Sequence, residues 1–295
     1  GPQALFYNLA NKLPFSKLIT EKVIGIDRKR NMPKISSYTF ESWFKKRKIN
    51  TTGSRGKIVF FHDTHINYIH PEVGKSAVKI LESAGYEVEI TDRKCCGRTL
   101  ISKGLLEEAK KYVDYNTNLL SSYVEAGIKI VGIEASCVSA IQDELPDLAD
   151  QREKAQKISD NTFTIQDLIM QIQNDGKQQI KWNETNKDLL LFVHCHERAL
   201  NGTNNSLGSL NLPGKFKAKL IDAGCCGMAG SFGMEKEHYE ISKTMANDRL
   251  LPAIENSEEN QEIIVTGISC HDQIKDLSSK TPKYLVEVLA EAVSD

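Results

Sequence analysis

The sequence predicts an α/β protein of two pseudo-symmetric lobes, each a small parallel sheet flanked by helices, preceded by an N-terminal helical and irregular arm. Three observations carry this prediction. From Lys57 onward, short apolar runs alternate with segments of helical spacing. The word Cys-Cys-Gly occurs twice, as Cys95-Cys96-Gly97 and Cys225-Cys226-Gly227. The positions around each copy recur at near-constant offsets: 132 residues from Asp63 to Cys195, 130 from Cys95 to Cys225 and 133 from Cys137 to Cys270. A period this long marks two related lobes and not an array of short repeats.

Residues 1–56 read as the arm. Leu5, Leu9, Leu13 and Leu18 punctuate a helix-like start that Pro14 interrupts, and a basic stretch runs from Arg28 to Pro33. Tyr38, Phe40, Trp43 and Phe44 then supply aromatics to pack on the main body, and Lys45 to Lys48 form a solvated face before a loop.

The first lobe, residues 57–145, opens with a buried strand at Ile58–Phe61. Val73, Ala77, Ile80, Leu81 and Ala84 follow helical spacing, with Gly85 placed as a C-terminal cap. Tyr86–Ile90 alternates as a second strand and leads into the first Cys-Cys-Gly. Leu105, Ala109, Tyr112, Val113, Leu119, Leu120 and Tyr123 outline a long amphipathic helix that ends at Gly127, and Ile128–Ile133 is the third strand, just before Cys137. This order of elements implies parallel pairing through right-handed crossovers.

Residues 146–187 read as a helical connector, with Ile165, Leu168, Ile169 and Ile172 on one face and a turn at Asn174-Asp175-Gly176. The second lobe, residues 188–295, repeats the plan. Leu189–Val193 precedes Cys195, Ala218–Ile221 precedes Cys225, a helix spans Met234–Arg249, and Ile263–Val265 precedes Cys270.

The formal net charge of −1 in 295 residues gives no electrostatic case for nucleic acid or an anionic membrane. No apolar run approaches the roughly 18–20 residues of a membrane span. Seven cysteines, four of them vicinal, make a poor disulfide framework and fit a reducing cytoplasm better. Gly1-Pro2 reads as a scar of tag removal on a fragment of something longer.

In an open parallel sheet, ligands collect beyond the carboxyl ends of the strands. Each cysteine here follows a predicted strand, so the thiols of one lobe converge on one sheet edge. Glycine after each pair gives the turn room to bring two sulfurs together. The start of a following helix would lower thiolate pKa. The second lobe offers four thiolates, Cys195, Cys225, Cys226 and Cys270; the first offers Cys95, Cys96 and Cys137 with Asp63 in the fourth place. Four soft thiolates suit an iron–sulfur cluster or a zinc ion, and spacing alone leaves both open. His194, His196, His238 and His271 gather around the second set, where hydrogen bonding to ligands is the expected role. Met228–Gly233 is a small-residue loop over the sulfurs with Phe232 as its cover; it lacks the lysine of a phosphate loop.

These words resemble the tandem cysteine-rich (CCG) domain proteins, which include the B subunit of heterodisulfide reductase and the iron–sulfur parts of glycolate and D-lactate oxidases. The phrases Glu134-Ala135-Ser136-Cys137, His194-Cys195-His196, Gly224–Gly233 and Ser269–Ile274 are closer still to the C-terminal part of FAD-linked D-2-hydroxyacid dehydrogenases. The resemblance implies an electron-transfer module of a larger oxidoreductase that oxidises D-lactate, glycolate or D-2-hydroxyglutarate. It implies FAD and ferredoxin-like domains upstream in the same parent polypeptide, and a quinone or cytochrome as acceptor. It also implies a [4Fe–4S] cluster in the second lobe, and a location in the cytoplasm or at the inner membrane's periphery. Two departures stand out. Asp63 occupies the leading cysteine position of the first lobe, and Ala140 and Gln273 stand where each closing cysteine would be. The incomplete set keeps two alternatives open: a zinc-stabilised docking module, and a thiol–disulfide site like that of heterodisulfide reductase.

Overall fold

The computed structural model describes residues 2–13, 15–177 and 179–294; Gly1 and Pro14 lie outside the described residues. Among the described residues, eight strands form two sheets. In the first, β1 (Gly56–Phe60), β2 (Tyr86–Glu89), β3 (Lys129–Gly132) and β4 (Thr162–Thr164) lie in the order β2-β1-β3-β4. In the second, β5 (Lys187–Phe192), β6 (Phe216–Leu220), β7 (Glu262–Val265) and β8 (Lys283–Tyr284) lie in the order β6-β5-β7-β8. Every pairing is parallel, with Val59 opposite Glu89 and Ile130 in the first sheet and Leu191 opposite Leu220 and Ile264 in the second. The strand order is thus the same in both lobes, as two copies of one unit require.

The fourth strands were invisible to pattern reading. Thr162–Thr164 falls within the residues read as a connector, yet it pairs with β3, and the two-residue β8 takes the same place beside β7. Strands of two or three residues are too short to show a period of two. Each leads into a helix, Ile165–Asn174 or Leu285–Ala292, that covers a sheet face. Thr164 caps the first of these, accepting from Asp167 N. Its Ile165, Leu168, Ile169 and Ile172 are all buried, which at about 1.5–3 kcal/mol per side chain contributes on the order of 6–12 kcal/mol before entropy.

One continuous apolar cluster runs through both lobes, from Phe60 and Ile80 in the first to Leu191, Val265 and Leu289 in the second. A smaller one, with Val59, Phe61, Val113, Leu120 and Ile141, lies under the helix Leu106–Glu125. The arm belongs to both lobes. Phe40 is fully buried against Phe60 at 5.6 Å between ring centroids, while Ile26 bridges to Glu235 and Asp27 N donates to Met234 O at 2.9 Å.

The two Cys-Cys-Gly turns differ in what surrounds them. Gly97 (φ +90) directly caps the helix Arg98–Ser102. After Gly227 (φ +86) comes a loop and a 3₁₀ turn, Phe232–Met234, so the next α-helix starts only at Tyr239. The helix expected from Met234 therefore begins later and breaks at Arg249, and it does not follow directly on the second cysteine pair in sequence. Both glycines hold a left-handed backbone that costs other residues about 1–2 kcal/mol. A Cβ on Gly97 would meet nothing nearer than 3.7 Å, whereas one on Gly227 would fall 2.2 Å from Ser242 O. Gly97→Ala is therefore expected to cost about 1–2 kcal/mol in urea unfolding, and Gly227→Ala clearly more. Equal losses would contradict this difference.

Candidate metal centre

The carboxyl ends of both sheets open onto one cavity of about 350 Å³ between the lobes. Six of the seven cysteines line it: Cys95, Cys96 and Cys137 from the first lobe, and Cys195, Cys225 and Cys226 from the second. Cys270 is fully buried and joins the second set through its contact with the Cys226 thiol. All seven are free thiols.

Each set is held by a local anchor on the loop that carries it. Asn116, buried on the long helix, accepts from Lys94 N at 2.9 Å and donates to Cys95 O at 3.1 Å. Arg198 does the equivalent in the second lobe, donating to Ala223 O and, at 2.6 Å, to Gly224 O. Gln273, the residue in place of a closing cysteine, donates to Cys226 O at 2.8 Å and accepts from Arg30 Nη1 at 2.7 Å. Arg30 is itself fully buried and also donates to Gly233 O at 2.7 Å and Ser242 Oγ at 2.9 Å. The arm thus reaches the backbone of the second cysteine pair through one amide side chain.

The sulfurs form two open chains. In the first lobe Cys96 contacts both Cys95 and Cys137, the latter at 3.1 Å. In the second, Cys195 contacts Cys225, Cys225 contacts Cys226, and Cys226 contacts Cys270. No three of these sulfurs lie within 4.8 Å of one another. Thiolates at about 2.3 Å around one tetrahedral zinc ion would stand about 3.8 Å apart. The donors are soft and sufficient in number, but neither set is gathered around a single point.

The electrostatics are unequal. Contacts with the Cys195 and Cys226 thiols pull the Cys225 thiol well below the ordinary range. Thiol contact and burial push Cys195 and Cys226 up in compensation. In the first lobe Cys95 and Cys96 are raised by thiol contacts and burial, and burial and the Asp63 charge raise Cys137 despite its contact with Cys96. Asp63 uses Oδ1 to cap the helix Thr64–Tyr68, accepting from His65 N at 2.7 Å and Ile66 N at 3.0 Å. Its buried Oδ2 has no hydrogen-bond partner, and the residue lines the cavity, so an oxygen donor is present where the thiol is lacking.

The four histidines part company. His194 and His196 line the cavity, with His194 Nδ1 accepting from His196 N at 3.2 Å and His196 Nδ1 lying 3.2 Å from Ser139 Oγ across the lobe boundary. Burial lowers His194 to about 4, which keeps it the neutral acceptor that the cap needs. His238 stacks on Phe232 at 4.0 Å and faces Glu235, and His271 lies against His70 and Tyr284; neither lines the cavity. Sequence reasoning missed Arg93 and gave no role to Arg98 or Glu134, although Arg98 follows the first Cys-Cys-Gly and Glu134 lies in a phrase of the resemblance. Arg93 and Arg98 line the cavity, and Arg98 is anchored by Glu144 and by Ser139 Oγ at 3.1 Å.

Two outcomes are expected from this framework. Gln273→Leu leaves the Arg30 guanidinium and Cys226 O short of partners, and should lower stability by about 2–4 kcal/mol by chemical denaturation. Glu197, buried beside Gln166 and Ser206, has its carboxyl pushed up to about 7 by burial. A carboxyl that is more basic folded than unfolded stabilises fully below its unfolded value, near 4.5, and loses that contribution as pH rises through 7. Metal-free protein should therefore lose stability over that interval, and Glu197→Gln should flatten the slope. An unchanged slope would exclude Glu197 as its source.

The comparisons agree with the geometry. The model of the cysteine-rich (CCG) domain matches residues 59–142 and again residues 189–275. The C subunit of the anaerobic glycerol-3-phosphate dehydrogenase of Escherichia coli is 27% identical, over 99% of this chain and 73% of its own. The D-2-hydroxyglutarate dehydrogenase of Haemophilus influenzae is 23% identical over 99% of this chain, which corresponds to 29% of that protein. Lactate utilization protein A of Bacillus velezensis is 24% identical over 72% of this chain and 87% of its own. With two matched copies whose cysteine pairs open onto one cavity, the chain belongs to the cysteine-rich CCG domain family.

Proposed function

We propose that the chain is the iron–sulfur electron-transfer module of a larger FAD-linked oxidoreductase, with Cys195, Cys225, Cys226 and Cys270 as the ligands of a [4Fe–4S] cluster. The observation that carries this reading is the open chain of four sulfurs at the edge of a parallel sheet. Such a cluster, when bound, takes up and releases single electrons. The protein's own part is to hold four sulfurs from three separate segments in place, through Arg198, Gln273 and the left-handed turn at Gly227. Cys95, Cys96, Cys137 and the orphaned Asp63 oxygen form a weaker second site across the same cavity, and Arg93 and Arg98 offset negative charge between them.

The relatives' names support the wider setting. Glycerol-3-phosphate, D-2-hydroxyglutarate and lactate are all oxidised at a secondary alcohol, a two-electron step that suits a flavin. A module that passes single electrons onward serves each of them without recognising the substrate. The FAD and ferredoxin-like parts are then supplied by the rest of the parent polypeptide or by partner subunits, and a quinone or cytochrome takes the electrons. Among the described residues no helix is long and apolar enough to cross a membrane. Free thiols in this number fit a reducing cytoplasm.

Anaerobic reconstitution should give brown protein with about four iron and four sulfide per chain in the second lobe. Cys225→Ser should abolish that EPR-active centre, while Cys137→Ser should leave it in place. Colourless protein with stoichiometric zinc would refute the reading and favour the docking alternative.

A further inference from the structure

We propose that His70, His271 and Asp272 form a separate site for a divalent transition-metal ion, best matched by zinc, that fastens the two lobes together. These are the only histidine, cysteine or acidic residues among those described whose donor atoms gather as a group of three within 4.8 Å of one another. They come from both lobes. His70 stands at the start of the helix Pro71–Ser83 in the first, and its side chain makes no capping bond there. His271 and Asp272 lie on the helix Ile268–Leu277 in the second.

The surroundings point to an absent partner. The His70 and His271 rings approach edge to face, with centroids 5.3 Å apart. Tyr284 stacks on His271 at 5.1 Å and lies 5.5 Å from His70. Tyr284 is 6% exposed, and its buried hydroxyl has no hydrogen-bond partner. A buried hydroxyl left alone costs about 1–3 kcal/mol, so a native structure normally supplies a ligand or water there. A ligand or water bound beside the two rings would supply that partner.

The donor chemistry selects the ion. Two imidazoles and one carboxylate suit zinc and its first-row neighbours, while magnesium and calcium prefer all-oxygen shells. His271 Nδ1 lies 2.9 Å from Asp272 Oδ1, so the ring and the carboxylate are already held side by side. Neither His271 nor Asp272 lines the cysteine cavity, although both follow Cys270 in sequence. The ion would sit beside the packing of helix Pro71–Ser83 on helix Leu285–Ala292, where a bond across the boundary fixes the angle between lobes.

Cobalt(II) titration of the iron- and sulfide-reconstituted chain tests the site. One equivalent should bind with the weak visible bands of nitrogen and oxygen ligation and without thiolate charge-transfer absorption. Zinc should displace it and raise the melting temperature. His70→Gln should weaken binding by about 100-fold or more, beyond the roughly 10–100-fold that loss of a ligand's hydrogen-bond partner costs. Asp272→Asn serves as a second variant, and circular dichroism confirms that each is folded. The difference between wild type and His70→Gln isolates this site even where cluster assembly fails and thiolates take up cobalt. No such uptake, or equal uptake by both variants and wild type, would overturn the proposal.

Discussion

The buried carboxylate of Glu134 holds the two halves of the centre in register. It sits at the end of β3, accepts from Ser136 N and Oγ within its own lobe, and accepts from Ile268 N at 2.8 Å in the other. Those donors begin the helix that carries Cys137 and the helix that carries Cys270. One carboxylate therefore sets the starting points of two ligand-bearing helices from opposite lobes. Burial and the nearby Asp63 charge push the Glu134 carboxyl up, while its hydrogen bonds work the other way. Gly267 is needed beside it: a Cβ there would stand 2.7 Å from the His194 ring.

This contact explains why two domain copies build one cavity. Parallel strands send all their carboxyl ends to one edge, and the loops that follow carry the thiols. Two such edges held face to face enclose the sulfurs from both sides, and one apolar cluster runs through both lobes beneath them. The arm reinforces the arrangement by burying Phe40 in one lobe and Arg30 in the other.

Much of this was legible in the sequence for a physical reason. Strands of four to six residues with apolar cores show themselves locally, and a duplicated Cys-Cys-Gly fixes where the loops turn. The convergence of Cys195, Cys225 and Cys270 followed from the rule for strand ends. What stayed hidden is what depends on contacts distant in sequence. Thr162–Thr164 is a strand because β3 is there to pair with it. Gln273 looked like a lost cysteine, and only the fold shows its amide holding Cys226 O to Arg30, a residue 243 positions away. That the two sets face each other depends on Glu134 and Ile268, which no spacing connects.

The duplication has been kept in backbone and relaxed in chemistry, and the divergences have one direction. At the leading position the second lobe has Cys195 and the first has Asp63, an oxygen that spends half its capacity on a helix cap. At the closing position Gln273 is built into a buried network, whereas Ala140 opens a short π-helical turn, Ala140–Glu144. That turn carries Glu144, which grips Arg98 at the cavity wall. The second lobe has four thiols; the first has three, with charged groups along the wall they share. Two equal sites facing each other would have placed two negative clusters across one small cavity. An unequal pair, with arginines on the first lobe's side, lowers that repulsion.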